Sequence, residues 1–440
     1  MGVGKGNRAV RYVLALACIF FAIPAFAQGA QIAPPIDMHA QSTYLRQTKP
    51  SFASPYRGRK SLGGARAGSY SFTATAFLGV RASDSLEVYF NPELTQGVPF
   101  SQLQGVAGFT NGELARTSGP ELNLYSARLF LRKTWNLGGA MEEQASEQNQ
   151  VKTRYAAERI VLTAGTLSVL DVFDAVDYSR DARTQFMNWS SLTYGAWDYP
   201  ADARGYTRGI AVEYITPRYA LRAGRFALPR ESNGLTLDGR MGRHYGDVAE
   251  AELPFRLAGR EAALRVLVFR NRAIMGSFDE AATAGGTPDV TSMRRLQSKS
   301  GLGAGVQAEL AQHVGGYVRA ARNDGKTETF AFTEIDHSLA AGVLARGERW
   351  SRAGDSAGVA LYLNGLGRAH RSYLAAGGEG FFLGDGRLNY ASEKIFEVFY
   401  STHLGGRVWL SGGYQRIANP GYNRDRGPAD FFGLRLHANI

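Results

Sequence analysis

The chain ends Phe431-Phe-Gly-Leu-Arg-Leu-His-Ala-Asn-Ile440, and this stretch divides by parity. Phe432, Leu434, Leu436, Ala438 and Ile440 fall on one face, and Phe431, Gly433, Arg435, His437 and Asn439 on the other. A period of two is the mark of a β-strand, here with one apolar face. In an outer-membrane barrel such a strand turns its apolar face to lipid and its polar face to a wet lumen. A terminal strand with a large apolar last residue is also what such a barrel offers its assembly machinery. The competing reading is an amphipathic strand of a soluble sandwich, and the other end of the chain argues against it.

Lys5, Arg8 and Arg11 precede an apolar run from Tyr12 to Ile23, and Ala25-Phe26-Ala27 follows as a small-x-small cleavage site. This is the design of a secretory signal peptide over residues 1–27, with a mature chain beginning at Gln28. The run is short for a helical bilayer span, which needs ~20 residues, and Pro24 closes it. The only cysteine, Cys18, lies inside this segment. Ala15 stands where a lipidation motif wants Leu, and the apolar run continues past Cys18, which argues against a lipoprotein. The mature protein is therefore expected to contain no disulfide.

Mean hydropathy is −0.22. No apolar run after residue 27 approaches the ~18 residues of a transmembrane helix. Export together with 53 Gly, 21 Tyr and 24 Phe fits an aromatic-girdled β-barrel with glycine at turns and crowded walls. The formal charge is +11, and the signal holds three of those charges and no acid, leaving +8 on the mature chain. An exported chain rarely meets nucleic acid, so no nucleic-acid partner is expected. The basic excess is better matched to a lumen or to lipopolysaccharide phosphates.

Short runs of alternation recur along the chain. Leu86, Val88 and Phe90 share a face, as do Ile160, Leu162 and Ala164, then Ile210, Val212 and Tyr214. Ala304, Val306, Ala308 and Leu310 form another such set, and Val408, Leu410, Gly412 and Tyr414 one more. In Tyr125–Trp135 the pattern places Tyr125, Ala127, Leu129 and Leu131 outward and Ser126, Arg128 and Arg132 inward. These runs match, in whole or in part, the ~9–11 residues of a tilted membrane strand. Turn signals at Asn91-Pro92, Thr216-Pro217-Arg218, Ala321–Gly325 and Asn419-Pro420-Gly421 separate them. Residues 28–60 are weakly patterned and are expected to be a periplasmic lead-in, a plug or a first strand. The barrel is placed over 61–440.

The stretch 168–208 is too long and polar for a hairpin turn and too rich in Asp, Trp and Tyr for a lipid-facing wall. Long connections in compact architectures are usually functional, and in a barrel such a loop folds inward. Its residues suit a sugar, which is an uncharged polyol with apolar C–H faces. Arg183 and Arg204 offer planar forks of donors. Asn188, Asp198 and Asp202 accept from hydroxyls. Trp189 and Trp197 offer flat rings with a polar handle. The tryptophans could equally pack the loop or sit in an interfacial girdle. The charged residues could equally be ion pairs fixing the loop to the wall. The expectation is mixed, with some pairs holding the loop and others facing solute. Arg128, Arg132 and Arg222 sit at lumen-facing parities and are secondary lining candidates.

Other constellations are weaker. Asp171, Asp174, Asp177 and Asp181 lack the alternating ligands and central glycine of a calcium loop. Gly354-Asp-Ser-Ala-Gly358 matches a nucleophile-elbow pattern, but Val359, Leu361 and Leu363 follow in strand alternation, so a glycine-rich turn is expected. The seven histidines are scattered. No catalytic residue, metal or cofactor is expected.

The chain resembles the OprB-type carbohydrate-selective outer-membrane porins. The resemblance is carried by Leu170-Asp-Val-Phe-Asp174, Tyr178 to Asp181, Arg183-Thr-Gln-Phe-Met-Asn-Trp189, Gly195-Ala-Trp-Asp-Tyr199 and Ala201-Asp-Ala-Arg-Gly-Tyr206. Tyr89-Phe-Asn-Pro-Glu93, Gln96-Gly-Val-Pro99, Asn111-Gly-Glu113, Ala127-Arg-Leu-Phe-Leu-Arg132, Asn419-Pro-Gly-Tyr-Asn423, Asp425-Arg-Gly-Pro428 and Gly433–Ala438 add to it. Ile440 replaces the usual Phe and Ala182 the usual Pro. The resemblance implies an all-β, antiparallel transmembrane barrel of 16 strands in the bacterial outer membrane, passing mono- or small oligosaccharides. It leaves monomer and homotrimer open. The mature charge of +8 keeps an alternative of the same architecture, a channel for anionic or other small solutes.

Overall fold

The computed structural model describes residues 36–114, 118–331 and 334–440. The expected signal peptide, Cys18 and the Gln28 start lie outside the described residues. The described chain forms strands β1 Ile36–Lys49, β2 Ala67–Ser83, β3 Leu86–Val98, β4 Asn123–Gln144, β5 Thr153–Leu167, β6 Thr207–Ile215, β7 Ala220–Phe226 and β8 Tyr245–Leu257. They continue with β9 Arg260–Met275, β10 Arg295–Ala311, β11 Val314–Asn323, β12 His337–Arg346, β13 Ser356–Gly365, β14 Glu393–Gly405, β15 Val408–Ala418 and β16 Ala429–Asn439. Each pairs antiparallel with its sequence neighbours, and β1 closes on β16 with Tyr44 opposite Leu436 and Gln41 opposite Asn439. The result is a closed 16-strand barrel. Closure removes the sheet edges, whose unsatisfied backbone groups would each cost several kcal/mol in hydrocarbon.

The terminal strand behaves as its parity predicts. Phe432 and Leu434 are 50% and 56% exposed, whereas Arg435 and His437 are buried inside. Val88, Leu129, Ile210, Val266 and Leu339 extend the same outward apolar belt around the wall. Connections after odd-numbered strands are long and those after even-numbered strands are mostly short, so one mouth carries the large loops. That is the asymmetry of an outer-membrane barrel, with short periplasmic turns and long outer loops.

Three expectations are corrected. Ile36–Lys49 is a wall strand, so the barrel starts ahead of residue 61 and this part of 28–60 is neither lead-in nor plug. Asn91-Pro92 is not a turn but a register shift within β3. The extra residue there, Ala127 of β4, reverses parity. Tyr125 therefore points into the lumen, where its hydroxyl donates to Glu93, and Ser126 points out. Gly354 holds φ +86 in a turn and Ser356 opens β13, so the G-x-S-x-G match is the glycine turn expected.

The interior is not an open tube. Loop side chains and inward wall residues build an apolar cluster around Phe173, Phe186, Trp197, Phe399 and Tyr422. Two short helices, α1 Phe278–Thr283 and α2 Arg368–Ala375, cap the long-loop mouth.

Candidate functional site

The β5–β6 loop, residues 168–206, crosses this interior. A loop inside a barrel must satisfy its backbone polar groups without bulk water, and inward wall residues do so here. Ser168 caps the first turn by accepting from Leu170 N, and Asp171 accepts from Ser168 N at 3.0 Å. Asp171 also receives a bidentate guanidinium from Arg128, both contacts at 2.7 Å. Farther along, Arg319 of β11 pairs with Asp174 at 2.9 Å and donates to Ser179 O and Ser191 O, each at 2.8 Å. The Tyr178 ring occupies the space where a Cβ on Gly315 would stand. Arg435 of β16 donates to Ala182 O at 2.7 Å and Gln185 O at 2.8 Å. Glu397 of β14 accepts from Met187 N at 2.6 Å and Asn188 N at 3.2 Å.

These anchors sort the loop's predicted site residues. Asn188 is buried, caps the turn at Trp189–Ser191, and donates to Gly108 O and Gln415. Asp198 is buried and accepts from Phe330 N at 2.9 Å and Ala331 N at 2.7 Å, with Lys299 at 3.7 Å. Burial pushes its carboxyl above the usual range against Lys299 and those amides. Asp202 closes a local turn by accepting from Arg204 N and Tyr206 N. Trp197 packs edge-on against Phe173 and Tyr199. These four hold the loop together or hold it to its surroundings.

Arg183, Trp189 and Arg204 instead face a cavity of about 630 Å³ that they share with Arg128 and Arg132. Arg183 donates to Glu113 at 2.6 Å and to Glu93 at 3.1 Å. Burial opposes its charge, but the two carboxylates outweigh this and lift the guanidinium well above its usual range. Arg204 lies 4.3 Å from the Tyr125 ring centroid, and its buried Nε has no hydrogen-bond partner. Trp189 stacks on Tyr199 at 6.1 Å with planes 15° apart. Arg132 meets Tyr89, Glu87 and Gln150. Arg222 lies apart from this cavity, among Glu213, Glu250 and Glu252 at 2.7–2.9 Å. The four loop aspartates do not converge: Asp171 serves Arg128, Asp174 Arg319, Asp177 Gln307, and Asp181 accepts from Arg183 N and Thr184.

Glu93, Glu113, Tyr125 and Tyr206 also line the cavity and were not among the predicted site residues. Glu93 and Glu113 stand inside motifs of the resemblance, and the Asn91-Pro92 irregularity beside Glu93 is the local signal that could have drawn attention to it. Five arginines and six carboxylates line the cavity, so its formal charge is nearly balanced despite the basic chain.

A family model described as carbohydrate-selective porin, OprB family, matches residues 65–440. Among solved structures, the high-pH form of Pseudomonas putida OprB has TM-score 0.66 and 13% identity, covering 92% of this chain and 94% of that one. Its low-pH form gives 0.51 and 10%, covering 92% and 93%. The outer-membrane channel DcaP of Acinetobacter baumannii gives 0.52 and 9%, covering 92% and 97%. No curated protein matches the sequence significantly. The family match extends over most of the chain, and the chain belongs to the carbohydrate-selective porin OprB family, as an outer-membrane porin.

Proposed function

We propose that this porin passes neutral mono- or small oligosaccharides by passive diffusion and holds them transiently in the cavity beside the β5–β6 loop. The observation that carries this reading is the charge balance of that cavity. Three of its five arginines are paired with carboxylates, Arg183 with Glu93 and Glu113, Arg128 with Asp171, and Arg132 with Glu87. Paired groups keep free donor and acceptor positions for hydroxyls while attracting neither ion strongly. Trp189, Tyr199 and Tyr206 add ring faces for the C–H surface of a pyranose. Binding of this kind stays weak, as permeation requires. The excess positive charge of the chain lies outside the cavity, which favours this reading over a channel for anionic solutes. Arg183, Arg204 and Trp189 meet solute. Asn188, Trp197, Asp198 and Asp202 maintain the loop's shape. We also assign residues 1–27 as the removed export signal.

Liposome swelling tests the proposal. Proteoliposomes are expected to swell faster in glucose than in an equimolar sugar acid of the same size. Equal rates, or faster entry of the acid, would favour the anionic-solute channel.

A further inference from the structure

Two connections at the short-turn mouth run longer than the rest, β4–β5 and β12–β13, and the first of them reaches the cavity. The β4–β5 hairpin shifts register at Asn136, Gly138 and Met141, and Gly139 takes φ +87 there. A left-handed position is available to glycine without steric cost. Beyond the bend the hairpin does not continue straight out from the wall. Its tip, residues 145–152, reaches across to the barrel's closing seam. His39 Nε2 lies 2.7 Å from Ser146 Oγ, and the Gln148 amide donates to Gln41 at 3.1 Å and Asn439 at 3.4 Å. Val151 N donates to the Tyr89 hydroxyl at 3.2 Å, and Arg132 donates to Asn149 O at 3.2 Å and Gln150 at 3.3 Å.

The tip thereby gathers neutral amides at one point, beside a single carboxylate, Glu147. Gln41, Gln148, Asn149 and Gln150 line the same cavity as Arg183 and Trp189. A carboxamide presents two donors and an acceptor without charge, which suits hydroxyls and discriminates against neither ion sign. Asn149 sits at φ +59, and its buried Oδ1 has no hydrogen-bond partner. Buried acceptors are rarely left unpaired, and rotation of this carboxamide toward the adjoining cavity would bring its Oδ1 within reach of a donor there.

We infer that the β4–β5 tip is an exit-side sugar subsite, in which the carboxamides of Gln148 and Asn149 bind hydroxyls of a neutral saccharide leaving the cavity. This rests on the proposed carbohydrate function and adds a second wall to the site. A sugar would pass from the Arg183–Trp189 side to the amide tip before release at the short-turn mouth.

Asn149→Gly removes the carboxamide and keeps the left-handed backbone, and Gln148→Ala removes the other. Each is read by sugar-induced current noise in a planar bilayer with glucose on the short-turn side. Loss of one or two hydrogen bonds should shorten sugar residence about threefold to tenfold, with sugar-free conductance unchanged. Trp189→Ala in the same assay reports the proposed function itself. If Trp189→Ala shortens residence and neither tip variant does, the function stands and the exit subsite is refuted. A raised sugar-free conductance in both tip variants would also refute it, since the tip would then be only a barrier. No sugar-dependent noise in the parent protein overturns both.

Discussion

Arg183→Gln should convert the channel toward cations. Arg183 touches Glu113 at 2.6 Å and Glu93 at 3.1 Å. Five arginines against six carboxylates line the cavity, a formal excess of one negative charge, and the substitution doubles it. A unit charge about 4 Å from a monovalent ion is worth ~1 kcal/mol in bulk water and ~4 kcal/mol at an effective dielectric of 20. The lower figure already corresponds to about a fivefold change in a permeability ratio. The reversal potential across a KCl gradient reads that ratio. About 0.1 M salt on the dilute side keeps the Debye length near 10 Å, so screening does not hide the effect. Burial already lifts the Glu113 carboxyl above the usual range against the pull of Arg183, and losing Arg183 lifts it further. A carboxyl with a raised pKa is neutral below it, so the added cation preference should fade as pH falls. Arg183→Gln combined with Glu113→Gln restores the parent charge and should restore the parent potential. An unchanged reversal potential in the single variant, or the same shift in the double variant, would refute the placement of this pair on the ion path.

Arg319→Ala strips the buried Asp174 of its partner and frees two loop carbonyls, at a cost of about 3–5 kcal/mol. Single-channel records should become noisier with larger open levels, and quiet records at the parent level would contradict the anchoring role. His370 of α2 lies buried between Asp336 at 3.0 Å and Glu334 at 3.8 Å, and stacks on Phe278. Burial opposes its charge, but Asp336 and Glu334 prevail and push the imidazole up to about 9. A raised folded-state value means this stabilisation is complete below the ordinary histidine range and lost as pH rises through about 9. Proteolysis within α2 should therefore accelerate above pH 9 in the parent and not in His370→Gln, compared pH by pH. Leu434→Arg places a charge on the lipid face of β16, and should lower the unfolding free energy in bilayers by about 2–4 kcal/mol, read by urea titration.

Alternation made the wall legible wherever a strand kept a pure apolar face, as β16 does. It failed at β1, whose outward positions include Ser42 and Arg46 and whose inward positions include Leu45, so the period-two signal is diluted. It also failed at Tyr125, because one inserted residue reverses every facing beyond it. In the loop, residue types were readable but their targets were not. Asp198 binds amides at Phe330 and Ala331, and Asn188 reaches Gln415, partners far along the chain that only barrel closure brings near. Local pattern carries no information on such pairings. For that reason Asn188 and Asp198 could not be distinguished from Arg183, which shares their loop and polarity but faces the cavity.

The central claim is that a neutral sugar occupies the cavity as it passes. Single-channel conductance of the purified mature protein, titrated with glucose and longer neutral sugars, tests it most directly. The account predicts saturable, sugar-dependent block of the ion current, weakened by Trp189→Ala. Steady current that no sugar interrupts, or no current at all, would contradict it.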